Sequence, residues 1–371
     1  MQIEAIRKKY SAEIACVILC CRVFIRTSTT EALEQYIQSH EMNWEELYRI
    51  AALHRVRPIV NKVLIDESLP LSRFRNYCRA LSVFAFERQV ESRRIQKLLQ
   101  QQGIAVRMYK GLDFTKVVYG GDISMREFTD MDMMIDAERL SELVDVMTAQ
   151  GYSCTQGEYL RRFPINFVAN KKDICFEKRS PMGRLFAFEF HHRPTKFLMD
   201  QPIGFNELLG EDYLHSSSPV SHEQYYKLMV LDHGASDYYP NLRSLVDMVL
   251  LSQKGVPDVP LELRRFELLW QELATRLLDH PAATMPAEKT IMKCADLIAG
   301  WQLTATPRSY WEKIYMHTRF RASFFHKLRS MRRTLYYVAL PNEIDINNIR
   351  LPSFKVYYFA KMIRLLLLRK A

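Results

Sequence analysis

Asp130 and Asp132 stand two positions apart in the run Thr129-Asp130-Met131-Asp132-Met133-Met134-Ile135. In an extended chain successive side chains alternate faces, so the two carboxylates share a face and Met131 and Met133 point the other way, into a core. Carboxylates held side by side repel each other unless a cation joins them. Mg2+ is a hard ion that takes carboxylate oxygens and shares its shell with phosphates. The pair therefore points to phosphoryl or nucleotidyl transfer. Upstream, Ile104, Val106 and Met108 alternate as a half-buried strand does, and this strand ends at Lys110-Gly111. Leu112, Lys116 and Tyr119 follow at helical spacing, with Gly120-Gly121-Asp122 as the stop. A helix entered through a glycine presents backbone N–H groups suited to phosphate. Lys110 adds a full charge beside them and Arg126 a second one near the carboxylates.

A third acid is expected on a neighbouring strand. Leu185-Phe186-Ala187-Phe188-Glu189-Phe190-His191 is a strongly apolar strand interrupted by Glu189, with His191 on the same face. A lone carboxylate there is costly unless it is paired or binds metal. Each of these residues also has a structural reading. Glu189 can pair with Arg184 or Lys178, Lys110 can be an exposed strand-end lysine, and Arg126 can pair with Glu127 or Asp122. His191 reads as a satisfied core histidine and His192 as exposed on the opposite face. Arg243 and Asp247, four apart on a helix, read as a surface ion pair.

Taken in order, Lys110-Gly111, Tyr119, Arg126, Asp130-x-Asp132 and Glu189-x-His191 resemble the family of uncharacterised nucleotidyltransferases within the DNA polymerase beta-like nucleotidyltransferase superfamily. The likeness extends to Asn43-Trp44-Glu45-Glu46-Leu47 through Ala51, His54, Val56 and Pro58, to His233, Arg243 and Asp247, and to Leu351-Pro352 with Tyr357, Tyr358 and Arg364. The superfamily usually opens with Gly-Ser or Gly-Gly where this chain has Lys110-Gly111, and the gap from Gly111 to Asp130 is longer than its norm. The resemblance implies a nucleotidyltransferase core, a metal triad of Asp130, Asp132 and Glu189 that also carries catalysis, Mg2+ as cofactor, and a nucleoside triphosphate such as ATP held by Lys110, Gly111 and Arg126. It leaves the hydroxyl acceptor open between a peptide, a small molecule, a sugar and an RNA end.

The bulk properties agree with a folded protein. The chain has 371 residues, 48% of them hydrophobic and 12% aromatic, enough for a large core or for two to three domains. Fifty-two basic against 42 acidic residues give a net charge of +10, which favours an anionic ligand without choosing between nucleotide, RNA and membrane surface. Seven cysteines, an odd count without a C-x-x-C pair, argue against a disulfide framework or zinc knuckle and for reduced cysteines in the cytoplasm. The apolar stretch from Ile14 to Phe24 contains Arg22 and falls short of the roughly 20 residues of a membrane span.

Along the chain, the expected class is α+β: a helical region over residues 1–102, a nucleotidyltransferase core with a small mixed sheet over 103–200, and a helical region over 201–371. Asn43 caps a helix from Trp44, with Glu46 completing a capping box. Leu71 to Gln102, Glu138 to Gln150, His222 to His233 and Leu242 to Leu251 are periodic helices. Ile165–Ala169 and Ile174–Phe176 read as a hairpin around Asn170-Lys171-Lys172-Asp173. Tyr310 to Arg333 interleaves aromatics with Lys313, Arg319, Arg321, Lys327, Arg329, Arg332 and Arg333; over Lys355 to Lys370, Tyr358, Met362, Leu365 and Leu366 form a stripe. Basic helix faces with aromatics packed inward account for both. The alternative is a catalytically silent RNA- or protein-binding module with these helices as its surface. Phosphoryl transfer by the same site is the enzymatic alternative.

Overall fold

In a computed structural model, the chain is described apart from Glu67, Pro181, residues 196–202, Ser217, residues 282–287 and residues 369–371. Between 305 and 338 only Glu312, Met316, Leu328, Arg332, Arg333 and Tyr336 are described. Most of the basic stretch singled out above, Lys313, Arg319, Arg321, Lys327 and Arg329 included, thus lies outside the described residues. The chain is mixed α+β, and its contacts gather it into two compact units. One comprises Met1–Val90, Leu112–Phe128 and Val220–Met316; the other comprises Glu91–Gly111, Thr129–Pro219 and His317–Ala371.

The described part of the first unit is helical. Helix Ala12–Phe24 is buried along nearly its whole length, from Ile14 to Arg22. No helix among the described residues is long and apolar enough to cross a membrane. Asn43 caps helix Trp44–Leu53 by accepting the Glu46 N–H. The expected capping box is only half made, because the Glu46 carboxylate turns to Arg49 instead (2.7 and 2.6 Å). Leu47, Ile50 and Ala51 form the buried face, and His54 closes it. His54 Nδ1 accepts the Leu242 N–H, and burial lowers its ring to about 4. The periodic run from His222 is helical to Met229 and then widens into a π-helical turn over Val230–Ser236 that carries His233.

Arg243 and Asp247 are not the surface pair their spacing suggested. Both lie in the core of this unit, Asp247 with no exposure at all. Asp247 accepts from Tyr119 Oη (2.6 Å), Arg126 Nε (3.0 Å) and His233 Nε2 (3.1 Å). Arg243 donates to the Glu127 carbonyl. Burial opposes ionisation of Asp247, yet Arg126 and the His233 bond outweigh it and hold the carboxyl far below its usual range. Beside this group, Arg57 and Glu127 pair at 2.6 Å, and the Arg57 guanidinium lies 3.5 Å from the Tyr77 ring centre.

The second unit is built on a four-stranded sheet of β1 (Val106–Met108), β2 (Met131–Ile135), β3 (Asp173–Arg179) and β4 (Leu185–His191), in the order β1-β2-β4-β3. β1 and β3 are antiparallel to their neighbours, and β2 and β4 are parallel. One face is apolar: Val106, Met108, Met131, Met133, Ile174, Phe176, Phe188 and Phe190 are all buried. On that face Ser92 Oγ lies 2.9 Å from Met131 Sδ, and the Tyr152 ring meets Phe188 edge-on. The opposite face carries the polar residues described below.

The hairpin expected from Ile165 to Phe176 does not form. Residues Pro164–Asn170 are a helix, and β3 pairs with β4 instead. Proline at the first helical turn fixes the backbone for a helix start, and Phe167 and Asn170, three apart, are its buried residues while Ile165 is 83% exposed. In helix Phe354–Leu368 the buried residues among the described side chains are Phe354 and Tyr357; of the expected stripe, Tyr358 and Met362 are half-buried, and Leu365 and Leu366 lie outside the described side chains. The Tyr357 ring is pinned by Arg162, whose guanidinium donates to its hydroxyl at 2.9 Å.

Two outcomes follow. Asp247→Asn leaves Arg126 buried without its counter-charge and should destabilise the protein by about 3–5 kcal/mol in denaturant titrations. His54 is neutral when folded and protonates readily when unfolded, so acid favours the unfolded chain. Stability should fall as pH drops from about 6.5 to about 4, with His54 contributing about 1.4 kcal/mol per pH unit. His54→Gln should flatten that slope in calorimetry.

Candidate active site

Parallel pairing of β2 with β4 sets Asp132 directly beside Glu189, and Met134 beside His191. Strand alternation then places Glu189 and His191 on one face, with Asp132 next to them. The sheet continues the row outward, because β3 sets Cys175 beside Glu189 and Asp173 beside His191. Asp130 immediately precedes β2 and is half-buried, with the Thr129 hydroxyl 3.4 Å from its carboxylate. Lys110 follows β1, and the chain then turns through Gly111 at φ +58°, a left-handed conformation that favours glycine.

The charges meet closely. Asp132 is 7% exposed. Its Oδ1 lies 2.9 Å from His191 Nε2 and 3.9 Å from Lys110 Nζ. Glu189, with 29% of its side chain exposed, brings Oε2 to 3.4 Å from His191 Nε2 and 4.0 Å from Lys172 Nζ. Behind the His191 ring, Nδ1 is 3.4 Å from Lys172 Nζ and 3.7 Å from Asp173 Oδ2, and Lys172 and Asp173 pair at 2.8 Å. The Tyr109 ring stands edge-on to His191 at 5.3 Å.

These surroundings split the two aspartates. Burial alone would push both carboxyls up. For Asp132 the facing Lys110 and His191 overcome it and bring the carboxyl down to about 2. For Asp130 the burial is reinforced by repulsion from Asp132 and Glu189, so its carboxyl is raised. Burial likewise works against ionisation of Asp173, but His191 and Lys172 hold its carboxyl below the usual range.

One ligand atom each from Asp132, Glu189 and His191 falls within a cluster no more than 4.8 Å across. Two carboxylate oxygens and an imidazole nitrogen are suitable donors for a divalent cation. Of the residues expected at the site, Asp130, Asp132, Glu189, Lys110 and Gly111 belong to the sheet-containing unit. Arg126 belongs to the helical unit, on Asp247 rather than on Glu127 or Asp122. His191 is buried as its core reading required, but its nitrogens face carboxylates and a lysine. His192 is not exposed as expected: it is largely covered, Nε2 approaching the Val168 carbonyl, and burial lowers its ring to about 4. Lys172 and Asp173 went unnoticed in the sequence because they sat in an expected turn. The signal that finds them is the register of β3 against the Glu189-x-His191 strand.

Because Asp130 is crowded by two like charges, Asp130→Asn removes a repulsion. The metal-free variant should melt at a higher temperature than the unsubstituted protein at neutral pH, and the gain should vanish at a pH low enough to protonate Asp130. Differential scanning calorimetry across pH measures both.

A family model described as an uncharacterised nucleotidyltransferase matches residues 40–280. No curated protein and no solved structure matches the chain. The matched stretch includes both aspartates, Glu189 and His191 and spans well over half of the sequence, so the chain belongs to the uncharacterised nucleotidyltransferase family.

Proposed function

We propose that the protein transfers a nucleotidyl group from a nucleoside triphosphate to a hydroxyl acceptor in a Mg2+-dependent reaction, on a core of the DNA polymerase beta-like kind. The observation that carries this reading is the pairing of Asp132 with Glu189 on adjacent parallel strands, in a family of nucleotidyltransferases. Two acids side by side on a largely buried face serve folding poorly, and their arrangement suits a divalent cation.

Asp130, Asp132 and Glu189 are the residues assigned to hold the metal. When bound, such ions stabilise the charge on the attacking and leaving oxygens of an in-line displacement. Asp132 stays ionised throughout the physiological range and needs no proton loss to act as a ligand. Asp130 is the carboxyl whose ionisation a cation would favour most, since repulsion is part of what raises it. Glu189 is the more exposed of the paired acids and is assigned to take or orient the proton of the acceptor hydroxyl. Lys110, on a flexible stem beside Asp132, is assigned to the triphosphate, with the Gly111 turn following it. Arg126 is already neutralised by Asp247, so the reading takes its phosphate-binding cation from Lys110.

The test is a panel of labelled nucleoside triphosphates, scored for transfer or hydrolysis in Mg2+. Activity is expected with at least one triphosphate. Asp130→Asn and Asp132→Asn should each abolish it while the circular dichroism spectrum stays unchanged. Turnover that both variants retain would overturn the assignment.

A further inference from the structure

Among the residues that converge on the site, His191 is the odd one. The acids assigned to the metal supply oxygen only, yet the side chain closest to Asp132 is an imidazole with no exposure. A histidine present only to fill the core needs one acceptor. Here a single nitrogen, Nε2, faces two carboxylates, at 2.9 Å and 3.4 Å, whose ligand atoms cluster with it. The other nitrogen has Asp173 and Lys172 behind it. Lys172 is the nearer of the two and donates to Nδ1, while Asp173 lies 3.7 Å from that nitrogen and pairs with Lys172 at 2.8 Å, so the far side of the ring holds a carboxylate able to draw the lysine away and take up a proton on Nδ1. The ring is held in this attitude by burial and by the Tyr109 edge.

We propose that His191 Nε2 is a direct ligand of the ion held by Asp132 and Glu189, and that the site consequently binds Mn2+ more tightly than Mg2+. This rests on the metal-site part of the function proposed above. In the free protein Asp132 accepts from Nε2 and Nδ1 accepts from Lys172; on ion binding Lys172 turns to Asp173, with which it already pairs, the ring proton moves to Nδ1, and Nε2 gives its lone pair to the metal. No proton is gained or lost overall. Mg2+ sheds water reluctantly and favours oxygen, whereas first-row transition ions take imidazole readily. Mn2+ is the member of that series that also suits carboxylate, the other donor type present.

The experiment uses the full chain, stripped of metal and without nucleotide, titrated separately with Mn2+ and with Mg2+. Pulsed paramagnetic resonance of the Mn2+ sample reads whether a nitrogen is bonded to the ion, and isotopic labelling of histidine identifies it. Tighter binding of Mn2+ and a histidine nitrogen signal are expected. His191→Gln should lose that signal. Asp173→Asn, which removes the partner that draws Lys172 off Nδ1, should keep it while weakening Mn2+ binding. The wild-type spectrum is decisive even if His191→Gln fails to fold. Bound Mn2+ with oxygen ligands alone, a nitrogen signal that persists in His191→Gln, Mg2+ binding at least as tight, or no Mn2+ binding would each overturn the proposal. An all-oxygen spectrum would leave the transferase reading, tested on labelled triphosphates, standing.

Discussion

The register between Met131–Met134 and Phe188–His191 is the constraint on which the site depends. A slip of one residue would send Glu189 and His191 to the apolar side and Phe188 and Phe190 to the polar side. The aromatic face makes that slip prohibitive. Phe176, Phe188 and Phe190 are fully buried, and fully burying one such ring stabilises by about 1.5–3 kcal/mol. The core therefore holds side by side two acids that would otherwise separate. Their repulsion is offset locally by Lys110, Lys172 and His191, which face them from three segments of the chain.

The helical unit solves a similar problem without an open position. Asp247 has no exposure, and its oxygens are taken up by Tyr119, Arg126 and His233. A buried ion pair of this kind contributes less to net stability than its short distances suggest, because both charges leave water. It ties Tyr119, Arg126 and His233 to one carboxylate on helix Leu242–Ser252.

Much of this was legible in the sequence where a short period decides the outcome. Alternation over Thr129–Ile135 and Leu185–His191 was enough to put Asp132, Glu189 and His191 on strands; Asp130 falls just ahead of its strand instead of on it, and the structure aligns Asp132 with Glu189. The long helix Ser72–Gln101 and the Asn43 cap followed from helical period and cap chemistry. What could not be read depends on partners far away in sequence. Arg243 and Asp247 look like a solvent pair until Arg126, 121 positions from Asp247, is known to be the counter-ion. Pro164–Asn170 has β-branched and apolar residues that fit a strand as well as a helix, and the helix start at Pro164 with packing through Phe167 decides. Lys172 and Asp173 gained their meaning from β3, which no local pattern set against His191.

The connectivity of the sheet also sets the lengths of chain that its pairs must close. β3 and β4 are joined by a tight turn, with Gly183 at φ +76° and the Ser180 N–H donating to the Arg184 carbonyl. Such a hairpin closes a short loop and can form early. It already carries Asp173, Glu189 and His191. Asp132 meets His191 across 59 positions, a far longer loop to close. Bringing Asp132 beside Glu189 therefore costs more chain entropy than closing the hairpin, and the aromatic face shared by Met131, Met133, Phe188 and Phe190 offsets it.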